Sequence, residues 1–253
     1  MKIAPTLAAL LILLSTPSIA GVSADAARER RWADEIVTQL VVGDAIWLAT
    51  PRHGAVLALF TEPVEKTDRA IVVVHGMGVH PDWNLIGLLR MELAQLGFAT
   101  LSLQMPVLGA EAQRADYTAV FPDAGERLDA AIDWLRARDY ARIAVVSHSM
   151  GSAMVNAWIS RRKSPEINAW VPVGLLVDFA TPPQLPVLDV VAERDFPEAI
   201  AAAKERAQRL RKDGCSSSLI VAGTDHFFAT ATPRLAAAIA PFIERALGGD
   251  CKK

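Results

Sequence analysis

The sequence predicts an α/β protein: a mostly parallel sheet with helices on both faces and an antiparallel N-terminal hairpin. Short, near-continuous apolar runs recur along the chain, as strands buried on both faces require. Between them, apolar residues fall three and four apart, as covering helices require. Strand and helix alternate throughout at crossover spacing, which argues for parallel pairing.

An amphipathic helical stretch over 28–40 comes first, followed by strands at 45–49 and 55–60. The turn Pro51-Arg52-His53-Gly54 joins these two into an antiparallel edge hairpin. Buried runs then occur at 70–74, 98–103, 143–146, 170–177, 187–191 and 219–222. Leu85, Leu89, Leu93 and Leu96 form a helical stripe that ends at Gly97, and Leu128, Ala131, Ile132 and Leu135 form another. A helix over 152–160 closes with Arg161, Arg162 and Lys163, where the helix dipole favours cations. Lys204, Arg206, Arg209, Arg211 and Lys212 lie on an Ala-rich helix with Glu205 and read as a solvated face. Pro241 falls inside the last helical pattern and is expected to kink it. The six tryptophans follow no stacking period and read as core or interface anchors. With no linker or internal repeat, residues 21–253 form a single domain with no separate cap.

The 253 residues are 52% hydrophobic and 21% charged, enough for one or two cores, which excludes a disordered or fibrous chain. Lys and Arg number 26 against 28 Asp and Glu, so the formal net charge of −2 gives no pull toward nucleic acid. Two cysteines are too few for a multi-thiolate metal site, and no metal or cofactor is expected. Residues 1–20 read as a cleavable export leader: Lys2, an apolar run of about a dozen residues, then Ser18-Ile19-Ala20. The run is short of the roughly 20 residues that span a bilayer, so the mature chain has no transmembrane segment and is expected in the periplasm or outside the cell. Export permits a disulfide between Cys215 and Cys251, which fall at one end of the predicted sheet.

In such a sheet, chemistry gathers where strands end. The run 143–146 leads into Ser147-His148-Ser149-Met150-Gly151 and then a helix, which places Ser149 at the apex of a sharp strand-to-helix turn. Such a turn needs small residues two before and two after the nucleophile. Gly151 meets that demand, and Ser147 stands where glycine is usual. The bland alternative is a helix-capping cluster of Ser147, Ser149 and Ser152. The run 70–74 ends in His75-Gly76-Met77-Gly78, where the backbone N–H of Met77, with that of Met150, could form an oxyanion hole. His226, in Gly223-Thr224-Asp225-His226-Phe227-Phe228, follows the last strand and is the candidate base. Asp195, after the penultimate strand, is the candidate acid, and Asp178 is its rival. His75 and His148 read as structural, whereas His53 and His80 read as surface or pocket-lining. Asp189, in mid-strand, needs a local partner. The long connection over 105–124 is expected to wall the pocket through Tyr117 and Phe121, joined by His80 and Trp83.

From residue 45 to about 247 the chain resembles the α/β-hydrolase superfamily, on the strand order, HGMG (75–78), SHSMG (147–151), AERD (192–195) and GTDHFF (223–228). With His80-Pro81-Asp82-Trp83 and the leader, it is similar to a bacterial subgroup of exported hydrolase-like proteins that implies no particular substrate. The expectation is therefore an exported serine hydrolase acting on a small-molecule or acyl ester through an acyl-enzyme on Ser149. The alternatives are a non-catalytic envelope binding or assembly protein on the same fold, and an acyltransferase with the same nucleophile.

Overall fold

The computed structural model describes residues 22–162 and 166–251; the expected leader and Lys163 lie outside them. Eight strands form one sheet: β1 (Asp44–Thr50), β2 (Gly54–Thr61), β3 (Arg69–Val74), β4 (Ala99–Leu103), β5 (Arg142–His148), β6 (Ala169–Val173), β7 (Leu188–Arg194) and β8 (Ser217–Asp225). Among the described residues six α-helices accompany them: α1 (Ala26–Gln39), α2 (Asn84–Gln95), α3 (Phe121–Arg136), α4 (Met150–Ser160), α5 (Pro197–Arg209) and α6 (Thr232–Gly248). The strand order is β1-β2-β4-β3-β5-β6-β7-β8. β2 runs antiparallel to β1 and β4, and every other pairing is parallel.

Alternation along the central strands sorts side chains between two cores. Ala70, Val72 and Val74 of β3 pack with Leu128, Ile132 and Leu135 of α3 and with Val155 and Trp158 of α4. Ile71 and Val73 face the opposite way, onto Leu85, Leu89 and Leu93 of α2 and Leu235, Ile239 and Ile243 of α6. At the hairpin end, α1 sets Ala33 and Ile36 against Leu57 and Leu59. The apolar run over 170–177 yields a strand only to Val173, because Gly174 turns with φ +62°.

After β3 the chain steps to β4 on one side and then crosses to β5 on the other. The carboxyl ends of β3 and β5 thus lie side by side at a topological switch point, with Val74 paired to Ser147. Both chemistry-bearing loops leave the sheet there. Far from this point, Cys215 and Cys251 form a disulfide across 36 residues, tying the approach to β8 to the end of α6. Closing a loop of that size stabilises by roughly 4 kcal/mol in a chain-entropy account.

One expectation is corrected inside the sheet. Arg206 does not belong to a solvated face: its side chain and that of Asp189 are both inaccessible to solvent. Nε and Nη2 of Arg206 donate to the two Asp189 oxygens at 2.9 and 3.0 Å, and Nη1 donates to the carbonyls of Leu175 and Val177 at 2.8 and 2.7 Å. A run of basic residues on one helix hides this, because the mid-strand acid that selects Arg206 is distant in sequence. Burial pushes the Asp189 carboxyl up, against the opposing pull of the guanidinium. Removing one partner strands the other charge in the core. Arg206→Met is therefore expected to lower the unfolding free energy by about 3–5 kcal/mol in chemical denaturation. Adding Asp189→Leu is expected to recover most of that loss.

Candidate active site

The turn after β5 is built by close packing. A Cβ at Gly151 would sit 2.3 Å from the His75 carbonyl oxygen and 2.9 Å from Val74 Cγ1, so no side chain fits. The helix α4 thus starts hard against the end of β3, and Ser149 absorbs the change of direction at φ 54°, ψ −119°. Its side chain makes no capping bond, unlike that of an ordinary N-cap serine. Ser147 fills the position where glycine is usual with a buried hydroxyl. That hydroxyl accepts from the Trp170 indole N–H at 2.9 Å and lies 3.0 Å from Ser152 Oγ. The extra atoms are accommodated because β6 and α4 supply them with partners.

Ser149 Oγ lies 2.8 Å from His226 Nε2, and His226 Nδ1 lies 2.6 Å from Asp195 Oδ1. A carboxylate only accepts, so Nδ1 carries the proton and Nε2 is free to accept from the serine hydroxyl. Asp195 also accepts the backbone N–H groups of Ala192 at 3.1 Å and Phe196 at 2.8 Å. Burial alone would raise the Asp195 carboxyl; the His226 hydrogen bond and charge, with those two N–H groups, outweigh it and hold the acid below its ordinary value. Around the imidazole, Phe196 stacks with centroids 4.3 Å apart, and a Cβ at Gly174 would come within 2.9 Å of Cε1. Asp178, the rival acid, does not meet His226. It pairs with Arg209 and accepts the Phe179 N–H at 2.7 Å.

His75 is fully buried beneath the loop that faces Ser149. Its Nδ1 donates to the Gly76 carbonyl at 2.8 Å and its Nε2 accepts the Met105 N–H at 2.9 Å. Burial pushes it down to about 3, so it is neutral. Gly76, Met77, Ser149 and Met150 line one cleft, and among the described residues the N–H groups of Met77 and Met150 have no partner.

The cleft measures about 770 Å³ and is mainly apolar, with Met77, Trp83, Phe121, Leu176 and Phe227 in its walls. Arg114 and Asp178 are its charged lining residues. Of the residues expected to line the pocket, Phe121 and Trp83 border the cleft, whereas Tyr117 and His80 do not. Tyr117 turns into the core, where its hydroxyl accepts the Leu108 N–H at 3.2 Å. The 3₁₀ turn Arg114–Val120 puts Arg114, Ala115 and Thr118 on the cleft instead. His80 packs between Trp32 and Trp83, each ring 5.5 Å away. His53 pairs with Asp123. His148, read as structural, in fact lines the cleft beside His226. Phe196 and Gly174 carried no signal in the sequence, since each acts through a contact with His226 that only the folded loops create. No group of His, Cys, Asp and Glu among the described residues could hold a metal ion.

The alpha/beta hydrolase family model matches residues 71–249. The chain belongs to that family. Similar α/β-hydrolase structures include a dienelactone hydrolase from Anabaena variabilis (19% identity, 79% of this chain and 95% of that one, TM-score 0.65). A putative α/β hydrolase from Agrobacterium tumefaciens aligns with 18% identity, over 82% and 98% of the two chains, at TM-score 0.63. A serine hydrolase without lid from Xanthomonas campestris aligns with 16% identity, over 84% and 97%, at TM-score 0.61. At these identities the likeness speaks to the fold. Among curated proteins, none matches the sequence. In this α/β hydrolase the connection from β6 to β7 holds no inserted cap domain.

The buried His75 sets a pH dependence for the α/β-hydrolase domain. Its folded value of about 3 lies below the ordinary 6.5, so on acidification the unfolded chain takes up a proton that the folded chain refuses. Stability from this residue is fully present above about pH 6.5 and is lost below it, by about 1.4 kcal/mol per pH unit. Urea titrations from neutral pH toward pH 4 are expected to show that decline, and His75→Gln is expected to flatten the slope by about one proton.

Proposed function

We propose that this chain is an exported serine hydrolase that cleaves carboxylic esters through an acyl-enzyme on Ser149. The observation that carries the proposal is the unbroken relay of Ser149 Oγ, His226 Nε2 and Nδ1, and Asp195 Oδ1, at 2.8 and 2.6 Å, opening into the cleft. His226 takes the proton as Oγ attacks the ester carbonyl, and Asp195 steadies the imidazolium that forms. Negative charge developing on the carbonyl oxygen meets the unpartnered N–H groups of Met77 and Met150, the latter at the positive end of α4. The tetrahedral intermediate collapses as His226 returns the proton to the leaving alcohol. Water, activated by the same imidazole, then releases the acid.

The walls favour a mainly apolar acyl group, since apolar side chains from several loops surround the serine and Asp178 is paired with Arg209, which leaves Arg114 as the remaining charge of the lining. Similar structures include a dienelactone hydrolase and a serine hydrolase without lid, in keeping with ester chemistry. Export is supported by the leader over 1–20 and by the disulfide, which persists in oxidising compartments.

A fluorophosphonate probe tests the reading directly. The folded wild-type protein is expected to take up one label per chain, and Ser149→Ala none. A folded wild type that resists labelling points instead to a binding protein on a retained fold, and labelling that survives Ser149→Ala places the nucleophile elsewhere.

A further inference from the structure

Resting on the functional reading above, we infer that His148 is a positioning residue for the base: its ring N–H grips the backbone carbonyl of His226 and fixes the reach of that imidazole toward Ser149 Oγ. His148 Nε2 lies 2.8 Å from the His226 carbonyl oxygen. A carbonyl only accepts, so Nε2 must carry the proton.

The sheet order explains why this bond matters. Ser149 leaves β5 and His226 leaves β8, and two strands, β6 and β7, lie between them. Through the sheet, nucleophile and base are therefore connected across three strand pairings, the last with an irregular register between Ala192 and Arg194. Looseness at any of these would accumulate at the 2.8 Å contact between Oγ and Nε2. The bond from His148 bypasses the route, joining the residue before the nucleophile to the base itself.

The loop that carries His226 needs such a tie. Phe228, two residues on, sits at φ 50°, a left-handed conformation unfavourable for a side chain of its size. Within the loop, the N–H of Phe228 reaches the Asp225 carbonyl at 3.2 Å and that of Phe227 reaches Asp225 Oδ1 at 3.1 Å. Both bonds are internal to the turn and do not orient it against the elbow. His148 supplies that external anchor. Its own ring is boxed by His226, with centroids 4.9 Å apart, by the edge of Phe228 at 6.4 Å, and by Gly76, where a Cβ would meet Nδ1 at 3.4 Å.

Protonation chemistry agrees with the geometry. Burial, together with the charge of the neighbouring His226, pushes His148 down to about 4. A neutral ring keeps the donor at Nε2 without setting a second positive charge beside the imidazolium that His226 becomes during turnover.

Two variants separate the hydrogen bond from the packing. His148→Phe keeps an aromatic ring in the box and removes the donor, whereas His148→Gln retains a side-chain N–H of similar reach. On 4-nitrophenyl butyrate the Phe variant is expected to lose about tenfold in kcat with KM held within about twofold, and the Gln variant to recover to within about threefold of wild type. A Phe variant with wild-type kcat, or a Gln variant as impaired as Phe, overturns the inference. The tautomer is read independently by NMR on isotope-labelled wild-type protein near neutral pH: a proton on His148 Nε2 is expected, and a proton on Nδ1 overturns the inference even where a variant fails to fold. A wild type that takes no fluorophosphonate label defeats the hydrolase reading and this role with it. A labelled wild type with an unimpaired Phe variant defeats the positioning role alone.

Discussion

Everything at the candidate site depends on how closely α4 approaches the end of β3. A side chain at Gly151 would collide with the His75 carbonyl and Val74, so glycine lets the helix begin where any other residue would push it away. That approach forces Ser149 into its left-handed turn and lifts its Oγ out of the sheet. Such strain costs of order 1–3 kcal/mol and persists only where the surroundings over-determine it. They do so here: the Ser149 N–H is held by the Val173 carbonyl at 2.9 Å, and its own carbonyl accepts the Ser152 N–H at 2.9 Å.

Around this contact several buried polar groups tie elements to the site. His75 holds the loop after β3 to Met105. Arg127 of α3 donates to the Gln104 carbonyl at 3.1 Å and pairs with Glu29 of α1 at 2.9 Å, and Glu29 in turn accepts the Val107 N–H at 3.0 Å. The first helix is thereby fastened to the segment that supports His75. On the other side of the elbow, the ion pair of Arg206 with Asp189 reaches the carbonyls of Leu175 and Val177, in the loop that lines the cleft. Buried charges of this kind add little net stability, but separating either partner from the other leaves an unpaired charge in the core, which opposes displacement of the elements they join.

Much of this was legible in the sequence for physical reasons. Buried parallel strands must be almost wholly apolar, so β3, β5 and β7 announced themselves, and a small residue must follow the elbow serine by two, so Gly151 marked the turn. The loop after each strand then supplied Ser149, Asp195 and His226 for inspection. What could not be read was direction. Tyr117 and Phe121 sit four apart on the same connection, yet one enters the core and the other the cleft, because Tyr117 lies within a 3₁₀ turn and Phe121 opens α3. Arg206 looked like its solvated neighbours because its partner is 17 residues upstream on another element. His148 and Phe196 act on His226 through contacts created by folding, which composition and spacing do not encode.

The account stands on Ser149 as the atom that becomes acylated, and trapping that species is the most direct test. Wild-type protein mixed with 4-nitrophenyl butyrate and quenched in acid during the first turnover can be mapped by peptide mass spectrometry. The account predicts a burst of about one equivalent of 4-nitrophenolate per chain and a butyryl adduct confined to Ser149. Turnover without an adduct, or with the adduct on another residue, would contradict it.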